Sequence, residues 1–274
     1  MKLVSFNPYR TIGIPGVKYI KPEHMFREIK TIKKADYILF PEYWQVNSLV
    51  YGLKKKIFPN INTFHLGHNK VEMTRALLAT FPENVPYTRI MGKNRHSIEI
   101  IEEEFGYPCV AKEIKNSMGQ GVFLIQKKQD LQRYIDNNDT LYIQEKLPID
   151  RDLRVVYVGN KVVSAYWRIG KEGSFHNNVA KGGSYSFENI PLGAVDLVDK
   201  AAKTLGINHA GFDVVVVGDR YYILEFNVLF GNEALRHLGI SIEKMIYDYI
   251  LSDFKPNGPD KPTFPGVPTR KKIS

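Results

Sequence analysis

The chain has 274 residues, 43% of them hydrophobic and 12% aromatic, which excludes a disordered polymer and is enough for one large or two to three small domains. A formal charge of +9 favours anionic partners such as nucleotides, polyanions or acidic peptides. A single cysteine excludes an intramolecular disulfide and a cysteine-rich zinc site, and no apolar run approaches the ~20 residues of a spanning helix. The opening stretch reads as a first strand rather than a signal peptide, so a cytoplasmic protein without a membrane partner is expected. The basic clusters Lys54-Lys55-Lys56, Lys93-Asn94-Arg95-His96 and Arg270-Lys271-Lys272 are short and lack interleaved aromatics, so nucleic acid is not the expected ligand. Oligomerisation is left open.

In chain order, residues 3–6 read as a strand, 22–34 as a helix with proline in its first turn, 37–40 as a buried strand, 48–56 as a short helix and 61–65 as a further strand. This βαβαβ pattern predicts a small parallel sheet. It has no G-x-G-x-x-G after its first strand, so a dinucleotide-binding half is not expected. Asn69 then caps a helix, with Glu72 as its capping-box partner, ending near residues 81–82. Next come a strand at 88–90, a helix at 97–105, a strand at 109–112, a glycine-rich loop, a strand at 122–125, a helix at 128–137 and a strand at 141–145. Cys109 lies in an apolar run and reads as a buried small hydrophobe, not a nucleophile. Two long strands follow (153–158 and 161–168), then a polar loop at 170–183, a helix at 193–205, a hairpin, and a helix at 241–251. Beyond residue 254, Pro, Gly, Lys and Asn dominate and predict a mobile tail.

The hairpin is the most informative stretch. Gly211 to Asn227 forms two β-branched and aromatic strands around a Gly218-Asp219 turn. Side chains two apart on a strand share a face, and an antiparallel return sets the start of one strand beside the end of the other. Asp213, Glu225 and Asn227 then converge as three hard oxygen donors, a set suited to Mg²⁺; the alternative is a solvated hairpin face.

Upstream, Lys112 ends a buried strand before Ser117, Gly119 and Gly121, and the two glycines let backbone N–H groups approach a phosphate; the alternative is an ordinary glycine hairpin. Glu145, Lys146 and Leu147 form a strand end whose exposed backbone can pair with an adenine edge, with Glu145 accepting from a ribose hydroxyl or amino group. Asp152 and Arg154 share a face, and Arg168 closes an otherwise apolar strand. A guanidinium suits carboxylate or phosphate, although each arginine alone also fits a surface ion pair, Arg168 with Glu172 or Glu188.

In this order the pieces resemble the ATP-grasp superfamily, and within it the RimK-type carboxylate–amine ligases. The resemblance runs from about Asn69 to Asn227. It rests on Asn69-Lys70, Lys112 to Gly121, Gln144-Glu145-Lys146, Asp152-Leu153-Arg154, Arg168, Asn178 with Gly182-Gly183, Gly211-Phe212-Asp213 and Glu225-Phe226-Asn227. It implies an α/β (α+β) ATP-grasp fold behind a shortened N-terminal parallel α/β domain. The expected divisions are residues 1–66, a small lid subdomain at 67–147, a catalytic subdomain at 148–254 and a tail at 255–274.

It further implies that Lys70 and Lys112 contact ATP phosphates, with Ser117, Gly119 and Gly121 in the covering loop. Glu145, Lys146 and Leu147 would hold adenosine, and Asp152, His176 and Asn178 would line the nucleotide site. Asp213, Glu225 and Asn227 would bind Mg²⁺, or Mn²⁺ in its place. Arg168 would steady the transferred phosphoryl group and Arg154 an acidic substrate or product. The family often has arginine where His176 stands, and histidine is only part-charged near neutrality. The implied activity joins a carboxylate to an amine, for example glutamate or another amino acid onto an acidic peptide or metabolite. An ATP-binding protein without turnover, or a phosphotransferase on the same fold, fits the same residues.

Overall fold

A computed structural model describes residues 1–114, 121–170 and 184–254, whose strands form three sheets. The first is parallel throughout, in the order β2 (Val17–Tyr19), β1 (Leu3–Ser5), β3 (Tyr37–Leu39), β4 (Lys56–Phe58). The parallel N-terminal sheet is as expected, but its element boundaries differ. Residues 22–34 split into a 3₁₀ turn at Pro22–His24 and α1 (Ile29–Lys34). The next helix, α2 (Tyr43–Asn47), starts earlier because Glu42 and Gln45 close a capping box ahead of it, and a π-turn at Ser48–Gly52 follows. Residues 61–65 are not a strand but the start of α3 (Ile61–His68). Asn60 accepts a hydrogen bond from the Thr63 N–H at 2.9 Å and caps that helix, so the fourth strand ends before Pro59.

The second sheet is antiparallel: β5 (Thr88–Gly92), β8 (Thr140–Glu145), β6 (Cys109–Lys112), β7 (Val122–Ile125). Helices α5 (Ser97–Phe105) and α6 (Lys128–Asp136) cover one face, burying Ile101, Leu131 and Ile135 against Cys109, Ala111, Ile125, Leu141 and Ile143. Burial pushes the Cys109 thiol up to about 11; it is a protonated core side chain.

The third sheet carries the site. Its order is β11 (Ser184–Ser186), β10 (Lys161–Ile169), β9 (Arg151–Val158), β12 (His209–Val217), β13 (Arg220–Asn227), all neighbours antiparallel. Along β9, Leu153, Val155 and Tyr157 pack with α7 (Leu192–Leu205), while Val156 and Val158 pack with α9 (Ile242–Ser252) and residues of the first sheet. Both faces of β9 are therefore covered, and Asp152 and Arg154 lie on the Val156 side by alternation. The hairpin turn is the expected one: Val217 pairs with Arg220 around Gly218 at φ +57° and Asp219.

Helix α4 (Lys70–Thr80) bridges the second and third sheets, through Thr74 to Tyr142 and Met73 to Phe226. Asn69 caps it, but through the Val71 N–H at 2.8 Å; Glu72 instead reaches Arg75. Met73 receives the Phe226 N–H on its sulfur at 3.2 Å, which seats the helix start against β13. Gly67 in α3 permits close packing there, since a Cβ would fall 2.3 Å from Val228 Cγ2. A short helix, α8 (Glu233–His237), follows β13. No described helix is long and apolar enough to cross a membrane.

Candidate active site

The site is a row across the third sheet. Register places Glu225 opposite Asp213, Asp213 opposite Arg154, and Arg154 opposite Tyr166. Opposed residues share a face, so four strands each contribute one side chain to a line. A bulge leaves Leu224 without a partner immediately beside the Asp213–Glu225 pair, and bulges re-aim side chains beside sites. Asn227, two residues on from Glu225, brings its Nδ2 to 3.4 Å from both carboxylates. Asp213, Glu225 and Asn227 are thus gathered as the hairpin argument expected.

The two arginines lie in the same cluster. Arg154 Nε donates to Asp213 Oδ1 at 2.6 Å. Arg168 Nε donates to Asp152 Oδ1 at 2.6 Å, and its Nη2 lies 3.0 Å from Asp213 Oδ2. Among the described residues the partners of Arg168 are these two aspartates, with no bond to Glu188; Glu172 lies outside the described residues. Burial works to raise both carboxyls. For Asp213 the paired arginines overcome it and hold the group below its usual range. For Asp152 burial prevails over Arg168 and the group rises, with Asp213 adding to the rise. Burial opposes the charge on Arg168 too, but Asp213 and Asp152 outweigh it and the guanidinium stays charged.

The two lysines join the cluster from α4 and from the second sheet. Lys70, at the start of α4, sets its Nζ 3.1 Å from Glu225 Oε2. Lys112, at the end of β6, is buried, with its Nζ 5.4 Å from the centre of the Tyr142 ring. Burial lowers its pKa to about 8; Glu225 and Asp213 oppose that fall, and Lys70 adds to it. The same Tyr142 bonds Thr74 of α4 at 2.8 Å. Eight expected residues therefore gather at one place: Lys70, Lys112, Asp152, Arg154, Arg168, Asp213, Glu225 and Asn227.

The rest of the expected set lies apart. Glu145 accepts from the Tyr87 N–H at 2.7 Å and donates its own N–H to the Tyr87 carbonyl at 2.9 Å, so one carboxylate oxygen is committed to backbone at the end of β8. Lys146 is exposed and Leu147 half-buried just beyond it. Gly121 adopts φ +75°, and its carbonyl accepts from Glu113, closing the base of the glycine loop. Ser117, Gly119, His176 and Asn178 lie outside the described residues, as does the tail at 255–274.

Two carboxylates and an amide form a hard-oxygen set that fits Mg²⁺ or Mn²⁺. A half-turn of the Asn227 amide exchanges its Nδ2 for Oδ1. No trio of His, Cys, Asp and Glu alone is grouped for a metal among the described residues, so Asn227 is needed as the third donor. Sequence reasoning passed over Tyr166, opposite Arg154, and His209. The His209 ring stacks 4.8 Å from Phe230, meets Phe40 and Phe58 edge-on, and bonds the Val228 carbonyl at 2.9 Å. Burial lowers its pKa to about 3, so it is neutral with Nδ1 as the donor. Nothing local marks these two, because their partners come from other elements.

A model of the RimK-like ATP-grasp domain matches residues 68–250. A relative, the ribosomal protein bS6–L-glutamate ligase of Salmonella paratyphi B, is 30% identical over 181 residues, which cover 64% of this chain and 60% of that protein's length. Among solved structures, a RimK domain ATP-grasp protein from Sphaerobacter thermophilus superposes with a TM-score of 0.70 at 15% identity, covering 91% of this chain and 99% of its own. The D-alanine–D-alanine ligase of Bacillus anthracis gives 0.67 at 14% identity, covering 92% and 96%. These two likenesses establish the ATP-grasp fold.

Proposed function

We infer that this chain, which belongs to the RimK-like ATP-grasp family, is an ATP-dependent carboxylate–amine ligase. The observation that carries this reading is the interleaved charge cluster: Lys70 on Glu225, Arg154 and Arg168 on Asp213, and buried Lys112 beside them. Lys70 pairs with Glu225, and Arg154 and Arg168 share Asp213, both carboxylates suited to a metal ion; Lys112 adds a buried positive charge beside them. Binding of a nucleotide with its divalent ion would exchange partners, the phosphates taking the cations and the ion taking Asp213, Glu225 and Asn227. In that exchange each paired charge would trade one opposite partner for another rather than be left alone.

A carboxylate is a poor acyl donor at neutral pH. Transfer of the γ-phosphoryl group of ATP to one of its oxygens gives an acyl phosphate and ADP. An amine then attacks the acyl carbon, the C–O bond to phosphate breaks with its electron pair, and the nitrogen loses a proton. Lys70 and Lys112 would bind the phosphates, and Arg168 the oxygens of the group in flight, where charge develops. Arg154 would orient an acidic substrate, and Asp152 holds Arg168 in place. When bound, Mg²⁺ supplies Lewis-acid screening of the phosphate oxygens. Glu145 and the backbone of Lys146 and Leu147 would hold adenosine at the lid edge.

The relative is named for joining L-glutamate to a ribosomal protein. The charge of +9 fits acidic reactants, so glutamate or another amino acid joined to an acidic peptide or metabolite is the substrate pair proposed. Incubation with ATP, Mg²⁺, amino acids and acidic peptides, followed by mass spectrometry, tests this. The expected product has the summed mass of two reactants less water, with ADP formed in step. A product that keeps the phosphate, or ATP left intact across the panel, overturns the reading.

A further inference from the structure

The N-terminal domain carries a row of exposed aromatic rings. Phe26 and Trp44 lie with ring centroids 6.3 Å apart. Tyr43, next to Trp44 on α2, stacks on His68 at 3.4 Å and meets His65 edge-on at 6.3 Å. Tyr51 ends the row 6.5 Å from His65. Asn47, between the two tyrosines along the helix, bonds His65 at 3.1 Å. Despite these contacts Phe26, Tyr43, Trp44 and Tyr51 remain 66%, 42%, 49% and 57% exposed. The rings are held from beneath. Buried Gln45 donates to the Pro22 carbonyl at 3.1 Å and ties the Phe26 turn to α2, and Trp44 Nε1 donates to Glu42 Oε2 at 2.6 Å. Exposed aromatic rings clustered in this way mark an interaction surface, and rings already held in place lose little freedom on binding.

A segment suited to that surface is on the same chain. Residues 255–274 lie outside the described residues, but their sequence has a strict period: Pro256, Pro259, Pro262, Pro265 and Pro268 fall at every third position. A polyproline II helix has three residues per turn, so this spacing would set all five rings along one edge. Such an edge is what aromatic-lined surfaces recognise, because proline fixes φ in advance and little chain entropy is lost on binding. The described chain also ends on this domain. The Phe254 ring packs 6.1 Å from that of Tyr37, with Lys56 Nζ 5.7 Å over it, and Tyr37 OH donates to Asp253 at 3.0 Å. Tyr37 opens β3 and Lys56 opens β4, the strands on either side of α2. Lys56 follows Tyr51 by five residues, at most ~18 Å of chain, whereas the 274 − 254 = 20 residues beyond Phe254 would extend ~60 Å as polyproline II. The segment is therefore long enough to span the row.

We propose that residues 255–274 bind this aromatic face of their own chain, with the proline edge lying across Tyr51, Tyr43, Trp44 and Phe26. His68, under Tyr43, is two residues ahead of Lys70, so the docked tail borders the charge cluster. The inference stands on the exposed rings and the proline period, and does not depend on the ligase reading.

The test uses the full chain, with ¹⁵N in its tryptophan indoles and a nitroxide on Thr263→Cys in the middle of the proline row. Cys109 is buried and stays unlabelled. Trp44 and Trp167 are the two tryptophans, and Trp44→Phe assigns their indole N–H signals. The Trp44 signal should lose more than half its intensity and recover when ascorbate reduces the nitroxide. It should fall further than that of Trp167, which is buried on β10. Pro259→Ala, Pro262→Ala and Pro265→Ala together should restore the Trp44 signal at unchanged tether length, and Phe26→Ala, at an exposed position, should restore it in part. A Trp44 signal untouched by the nitroxide, or a loss that survives the three proline replacements, overturns the proposal. Nitroxide-bearing chains without ¹⁵N, mixed with ¹⁵N chains without nitroxide, should leave Trp44 unchanged. A loss in that mixture places the tail on a second copy and overturns its assignment to its own chain.

Discussion

Replacing Lys112 by methionine should make the nucleotide-free protein more stable while removing nucleotide binding. Lys112 is buried at the end of β6, and burial takes its pKa from 10.5 to about 8. A cation whose folded pKa lies below its unfolded value is bound less firmly to its proton in the native state, so its charge works against folding below both values. The drop of 10.5 − 8 = 2.5 corresponds to about 3 kcal/mol near pH 7, falling to about 1 kcal/mol by pH 10 as the unfolded lysine also loses its proton. Methionine keeps the unbranched apolar stem and the volume. It gives up the contact with the Tyr142 ring, 5.4 Å from Nζ, worth ~0.5–2 kcal/mol. The net expectation is a gain of about 1–3 kcal/mol at pH 7, shrinking toward pH 10. Urea unfolding of both proteins at the two pH values measures it, since other groups titrating in that range are common to both. A variant less stable than wild type at pH 7, or a stability difference that does not change with pH, would refute the argument. Undiminished affinity for an ATP analogue would separately remove Lys112 from the nucleotide site.

Three further outcomes are expected. Glu225→Gln removes one negative charge at constant shape, so ADP release should fall to background while circular dichroism shows a native fold; wild-type turnover by the folded variant would dismiss Glu225 as a metal ligand. Arg168→Lys keeps the charge but loses the fork that spans Asp152 and Asp213; kcat should drop by ~10²-fold or more with nucleotide affinity little changed, and a kcat within a few-fold of wild type would exclude a phosphoryl role. His209 has a folded pKa of about 3 against 6.5 unfolded, so wild type should lose stability as pH falls through 6.5, by about 2 kcal/mol at pH 5. In His209→Phe, which retains the stacking on Phe230, that part of the pH dependence should vanish, and an identical acid profile in the two proteins would contradict a buried neutral ring.

The sequence by itself determined what depends on neighbours along the chain. The period of two in strands and the Gly218-Asp219 turn bring Asp213, Glu225 and Asn227 together without help from the rest of the fold, because a hairpin's register follows from its turn. The parallel N-terminal sheet, the strand ending at Lys112 and the helix starting at Lys70 were equally local. Short apolar runs were less secure: residues 61–65 fit a buried strand by composition, but the Asn60 cap made them a helix. What the tertiary structure decided is which charge neutralises which. The pairings of Lys70 with Glu225, of Arg154 with Asp213, and of Arg168 with both Asp152 and Asp213 join residues far apart in sequence. Burial on both faces of β9 hid the alternation that would have separated the site face from the core face. Arg10 and Phe230, 220 residues apart, meet only because the first sheet packs against the third. Coulomb energy and desolvation depend on distance and depth, which no spacing of residue types records.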